Sequence, residues 1–188
     1  MPRPRSADRR DAILSAATHV IAEQGLGAAT ATIAKQAGVS NGSLFVYFDT
    51  KAMLLNELYI ALKTEMCAAA VDGLPARSDA REQILHMWNH WLGWATSFPE
   101  KRRALAQLEV SDDITAGSHQ IVSSAFSVIA GLLDRSRADG PMRDAPLSFV
   151  LTLTSAIADA TIDAMIGDPD QAETKARIAF DAVWRMLA

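Results

Sequence analysis

The sequence predicts an all-α protein of about nine helices, with a three-helix head at the N-terminus and a helical body behind it. Three observations carry this reading. Apolar residues recur at helical spacing along nearly the whole chain. Gly and Pro interrupt that rhythm at intervals suited to ordinary helix lengths. The stretch ATATIAKQAGVSNGSLFVYFDTK, residues 29–51, holds two short helical segments around a Gly-containing turn, the arrangement of a helix-turn-helix unit.

Taken in order, helix 1 runs from about Ser6 to Gln24. Ile13, Leu14, Ala17, Val20 and Ile21 form its apolar stripe, and Gly25 gives its stop. Helix 2 spans Thr30 to Ala37, with Ile33 and Ala34 facing inward. Gly38 breaks it, and Ser40 stands where the next helix wants its N-cap. In helix 3, Leu44, Phe45 and Phe48 lie at helical spacing, and the helix closes near Phe48. Asn41, Gly42 and Ser43 give its N-terminal surface small and polar groups. Asn can pair with adenine through two hydrogen bonds, Ser can bond base edges or phosphate, and Gly permits close backbone approach. Asp49 or Thr50 caps a long helix 4 that reaches roughly Val71. Lys51 lies in its first turn, where a cation opposes the helix dipole unless a DNA phosphate sits nearby.

Gly73 and Pro75 mark a break, and Ser78 caps a helix from Asp79 to Phe98. Its apolar arc covers about half the circumference and includes Trp88, Trp91 and Trp94, so the helix is expected to be largely enclosed. The next helix spans Glu100 to Val110 after Pro99. Asp112 or Thr115 caps another, reaching about Arg137. Gly140, Pro141 and Pro146 enclose a loop, and Leu147 to Ile166 form a strongly apolar helix. Gly167, Asp168 and Pro169 make a tight turn, after which Asp170 caps a final helix to Leu187. No internal repeat or low-complexity segment is evident.

Composition narrows the function classes. At 188 residues and 49% hydrophobic content the chain suits one or two globular domains with a substantial core. No apolar run is read as approaching the eighteen or so residues that span a bilayer, and residues 1–11 lack the apolar region of a signal peptide. One cysteine, Cys67, excludes an internal disulfide and fits a reducing cytoplasm. The net charge of −4 is unevenly divided: residues 1–51 hold six Lys/Arg against four Asp/Glu, and the remainder holds twelve against eighteen. Arg3, Arg5, Arg9 and Arg10 in the first ten residues read as a phosphate-contacting arm.

The residues IAKQAGVSNGSLFVYFDTKAMLL resemble the TetR family pattern. Ile33, Ala34, Ala37, Gly38, Val39, Ser40, Gly42, Leu44, Tyr47, Phe48, Lys51, Leu54 and Leu55 match it in register. The likeness covers the first third of the chain. It implies a head at residues 6–66 (motif about 29–48, helix 4 as connector) and a ligand-binding and dimerisation domain at 67–188. By that resemblance the protein is a cytoplasmic bacterial regulator, commonly a repressor, that binds a palindromic operator as a homodimer. The expected DNA-contacting residues are Thr30, Ser40, Asn41, Gly42, Ser43, Tyr47 and Lys51, with Arg3 and Arg5 of the arm. Two positions depart from the pattern. Phe45 replaces a Tyr whose hydroxyl reaches phosphate in many members, and Ala31 replaces a base-reading Arg of some.

For the body, the final two helices present apolar residues on more than one face and require a partner. The resemblance implies a four-helix interface between two copies, here through Phe149, Leu153, Ile157, Phe180, Val183 and Trp184. A small, mainly apolar or aromatic effector is expected, with Trp88 and Trp91 as cavity walls and Tyr59, Gln107, Asp159 and Asp163 as polar handles. His86 and His90 lie at metal-ligand spacing, but without HExxH or a second thiol no metal is assigned, and no cofactor. Asp159 and Asp163 are also spaced to share a task, either acid–base work or a polar layer at the dimer seam. No phosphate loop, nucleophile elbow or dinucleotide fingerprint is present. The expectation is therefore a regulator rather than an enzyme or membrane protein. The alternatives are an all-α enzyme, or an interaction module with a non-functional head.

Overall fold

The computed structural model describes residues 5–188 except Ala76, with side chains from Ala7 onward. Among the described residues every regular element is helical: α1 Arg5–Gln24, α2 Thr30–Gln36, α3 Asn41–Tyr47, α4 Lys51–Val71, α5 Ala80–Ser97, α6 Pro99–Glu109, α7 Ala116–Ala125, α8 Ser127–Ser136, α9 Leu147–Gly167 and α10 Ala172–Leu187. A 3-10 turn, Pro169–Gln171, precedes α10.

The helix ends follow local chemistry. At the end of α2 the Gly38 N–H donates to Lys35 O at 3.2 Å and the Val39 N–H to Ala34 O at 2.9 Å. That pair of bonds is a Schellman motif, and it needs a left-handed residue, which Gly38 supplies with φ +68°. Ser40 then caps α3 by accepting the Ser43 N–H at 3.0 Å. Thr50, not Asp49, caps α4, accepting from Met53 N. Asp79, not Ser78, caps α5, accepting from Glu82 N at 2.8 Å. No side chain caps α10, so the expected role of Asp170 is not seen.

The chain divides into two compact units, Met1–Thr64 with Phe98–Val122, and Glu65–Ser97 with Ser123–Ala188. Residues 98–122, assigned to the body from sequence, thus pack with the head. In the first unit α1 lies against α2 and α6. Its core holds Ile13, Ala17, Ile21, Ile33, Leu44, Phe48, Leu54, Leu58 and Leu108. Gln107 on α6 donates to Ile21 O at 3.0 Å, a second donor beside the Gly25 N–H, and so ties α6 to the last turn of α1. His19 on α1 meets Glu100 on α6 at 3.2 Å.

Asn56 on α4 holds the loop after α6. Its amide donates to Ala52 O and Asp113 O, each at 2.8 Å, and its carbonyl oxygen accepts from Thr115 N and Ser118 Oγ. The expected single helix from residue 112 or 115 to Arg137 is two, α7 and α8, bent by 65°. Thr115 starts α7, its hydroxyl accepting from Ser118 N. No proline causes the break. Ser123, Ser124 and Ser127 surround it, and serine hydroxyls compete for helical backbone groups.

In the second unit α5 packs on α8, α9 and α10, and α9 on α10. Trp88 is buried and donates from Nε1 to Ala176 O at 3.0 Å; Trp94 is buried and donates to Glu65 Oε1 at 2.9 Å. The loop before α9 is organised by Arg137, whose Nη1 donates to Met142 O at 2.7 Å and also reaches Ala145 O, while Asp134 holds the other side of the guanidinium. Gly140 in that loop is buried against the end of α10, where a Cβ would lie 1.8 Å from Leu187 O.

One sequence expectation is corrected by α9. An 18-residue window of this 21-residue helix reaches a mean hydropathy of 1.5, so by length and composition it is apolar enough to cross a bilayer. Here α9 covers α10 and α5 with Val150, Ala158 and Ile162 buried.

Candidate nucleic-acid interface

The helix pair α2–α3 is fixed from below by its core residues. Ile33 and Ala34 on α2 and Leu44 on α3 are buried, and Phe48 just past α3 closes the layer. With Leu44 and Phe48 inward, the opposite side of α3 must face out. Asn41, Gly42, Phe45 and Val46 are all exposed, while Ser43 and Tyr47 flank them half-buried. Positions 41 and 45, and 42 and 46, stand one helical turn apart, so the four form one continuous surface.

Two of these residues were missed from sequence. The expected DNA-contacting set omits both, although the resemblance places a phosphate-reaching Tyr at position 45; Phe45 is 37% and Val46 79% exposed. The available signal was spacing: each follows an outward residue by four positions.

Ser40 and Ser43 also bond through their hydroxyls, Oγ to Oγ at 2.7 Å. Since Ser40 Oγ already accepts the Ser43 N–H, either orientation of that bond leaves one hydroxyl hydrogen directed elsewhere. Thr30, the first residue of α2, is half-buried.

The basic residues are deployed differently from the expectation. Lys51 Nζ donates to Leu26 O at 2.6 Å and to Ala28 O at 2.7 Å. Its charge is thus applied to the carbonyls of the α1–α2 connector, which gives a cation in the first turn of α4 two partners within the chain. Arg10 forms an ion pair with Glu57 and lies 5.3 Å from the centre of the Phe48 ring, so it braces α1 on α4. Arg9 and Lys35 are exposed. Arg3 and the side chain of Arg5 lie outside the described residues.

The residues proposed for an effector fall into both units. Tyr59 and Gln107 belong to the first; Trp88, Trp91, Asp159 and Asp163 belong to the second. Tyr59 is buried, with its hydroxyl 3.1 Å from His119 Nδ1. Trp91 is half-exposed and meets buried Trp88 edge-on, ring centres 6.3 Å apart. Asp159 and Asp163 are exposed on α9. His86 and His90 stack with centroids 3.9 Å apart, and donate to Asp72 O and Ala69 O. They therefore serve the carbonyls at the end of α4.

The expected dimer residues divide by face. Phe180 is 1% exposed and Val183 fully buried, so both belong to the protomer's own core, and Arg81 lies over the Phe180 ring. Trp184 is half-buried. The opposite side of α10 forms with α9 an open apolar groove lined by Leu153, Ala156, Ile157, Ala160, Ile178 and Ala182. Ile178 is 60% and Phe149 50% exposed.

Residues 13–58 match the family model of bacterial regulatory proteins, tetR family. Over nearly its whole length the chain is similar to solved structures from that family. A chain assigned to the tetR family of transcription regulators from Shewanella sp. PV-4 is 26% identical, with 94% of this chain and 96% of that one covered at a TM-score of 0.85. A TetR family transcription regulator from Marinobacter aquaeolei VT8 is 22% identical, with 100% and 99% covered at 0.83. The TetR-like regulator LfrR from Mycobacterium smegmatis, in complex with proflavine, is 18% identical, with 94% and 95% covered at 0.70. The family is one of bacterial regulatory proteins.

Proposed function

We propose that this chain, which carries the DNA-binding region of the TetR family on a TetR-like fold, is a dimeric, effector-responsive repressor of a palindromic operator. The observation that carries the reading is the outward surface of α3, where Asn41, Gly42 and Val46 stand exposed above a core built from Leu44 and Phe48. A helix-turn-helix unit inserts that surface into a major groove. Asn41 reads a base, and the Ser40–Ser43 pair bonds base edge or phosphate.

The second copy binds through the α9–α10 groove. Its floor of alanines lets two helices approach closely, and the exposed isoleucine and phenylalanine side chains supply the apolar area that one protomer leaves uncovered. Such a pair holds two α3 helices about one turn of DNA apart, roughly 34–36 Å. The effector is small and apolar or aromatic, and Trp91 beside Trp88 is its first contact. The proflavine complex of LfrR supports an aromatic ligand class. An effector then acts on DNA affinity through α4, which runs on from the head, and through the segment that Asn56 ties to it.

The test measures binding of the full chain to the DNA upstream of its own gene, with titration of fatty acids, planar aromatics and cationic amphiphiles. Salt-dependent binding that one compound class releases, with a parallel change in tryptophan fluorescence, is expected. No binding above that to unrelated duplex would overturn the reading.

A further inference from the structure

The outward surface of α3 carries no basic side chain. Its exposed groups are the Asn41 amide, the Gly42 backbone, the Phe45 ring edge and the Val46 isopropyl group, with the Ser43 hydroxyl and Tyr47 at its margins. Guanine is read in the major groove mainly by Arg or Lys, which donate together to O6 and N7. Neither cation closest in sequence is on this helix. Lys51 is turned to the Leu26 and Ala28 carbonyls, and Lys35 is on α2.

What remains has a definite preference. An amide pairs with the N6 donor and N7 acceptor of adenine. An exposed isopropyl group gains from contact with the only apolar group in the major groove, the thymine C5-methyl. Val46 follows Gly42 by one turn, and Gly42 lacks a side chain that would hold the helix away from the base edges. The isopropyl group of Val46 is 79% exposed, so it is accessible to an apolar group on the DNA it faces.

Resting on the operator-binding reading above, we propose that Val46 is a specificity-determining residue that contacts thymine C5-methyl groups, and that α3 reads A·T base pairs at the centre of each half-site. Asn41 selects the adenine and Val46, flanked by Phe45, selects the thymine. The contribution of α3 to specificity comes from one amide and one methyl contact, without a guanine-reading cation on that helix.

The experiment enriches the full-length protein's binding sites from a random-sequence duplex pool, then replaces single thymines in the enriched duplex by deoxyuridine, which removes the methyl alone. Enriched half-sites with A·T pairs at their centre are expected, with an affinity loss of about fourfold for each contacted methyl removed. Val46→Ala should bind the thymine duplex more weakly by a similar factor and lose most of its response to deoxyuridine. Val46→Thr, which retains a methyl group, should keep part of that response. Val46 is exposed, so thermal unfolding of both variants should match the parent, which separates a DNA effect from a folding effect.

Enrichment of sites with central G·C pairs would overturn the proposal and leave the regulator reading standing. So would an enriched duplex whose affinity ignores every deoxyuridine substitution. A pool that yields no enriched sequence at all would defeat the regulator reading and this proposal together.

Discussion

The ammonium group of Lys51 donates to the carbonyl oxygen of Leu26 at 2.6 Å, across 25 positions of sequence. With the second bond to Ala28 O it fastens the first turn of α4 to the connector that sets the angle between α1 and α2. Lys51 matches a lysine of the family pattern, and its two bonds tie α4 to the connector that precedes α2.

Lys51→Met keeps the side-chain stem and removes both bonds. It should lower the stability of the protein by about 1.5–3 kcal/mol, since bonds from a charged donor are worth that much and the carbonyls lose their partner. The slope of log affinity against log salt should stay unchanged. A slope that falls by about one, with stability intact, would restore the phosphate assignment.

Asn41→Ala removes the amide from the exposed surface of α3 and touches no core residue. Affinity for the enriched operator should fall by about 1–3 kcal/mol, with preference relaxed at a single base position in each half-site. Competition binding with a panel of single-base variants checks this. Unchanged preference at every position would remove Asn41 from base reading.

The proposed dimer can be tested apart from folding, because α10 buries Phe180 and Val183 on one side and lines an open groove with Ile178 and Ala182 on the other. The double variant Ile157→Glu with Ile178→Glu changes groove residues and should remain folded while sedimenting as a monomer. Val183→Asp instead places a charge in the protomer core and should abolish folding, since an unpaired buried charge is among the most damaging changes. Sedimentation and circular dichroism together decide this. A dimer that survives both groove substitutions would move the interface elsewhere.

Gly140→Ala tests the packing of the loop before α9. The added Cβ would meet backbone, Leu187 O at 1.8 Å, with no flexible side chain able to yield. A loss of about 1–3 kcal/mol or more in denaturant unfolding is expected. A variant as stable as the parent would mean that the end of α10 relaxes freely.

The head was readable because its determinants are local. Gly38, Ser40 and the spacing of Ile33, Leu44 and Phe48 lie within a few residues of the bonds and contacts they make. The body was less so. Both faces of α10 are apolar, and period alone cannot tell that Phe180 and Val183 turn inward while Ile178 turns out. The packing of residues 98–122 with the head joins positions far apart in sequence: Leu108 enters the core beside α1, and Asn56 and Gln107 reach distant backbone. The bend between α7 and α8 has no proline or glycine to announce it. For Phe45 the apolar spacing with Leu44 and Phe48 left its face open, and the burial of Leu44 turns it outward.

Two recognition helices held on one face by a dimer must leave a two-fold signature in the DNA they select. Sequencing the duplexes that the full-length protein enriches from a random pool measures this directly. The enriched sites should be inverted repeats whose half-sites lie about 10–10.5 base pairs apart, centre to centre. Enriched sites with a single unrepeated half, or repeats in direct orientation, would contradict a two-fold dimer reading DNA through α3.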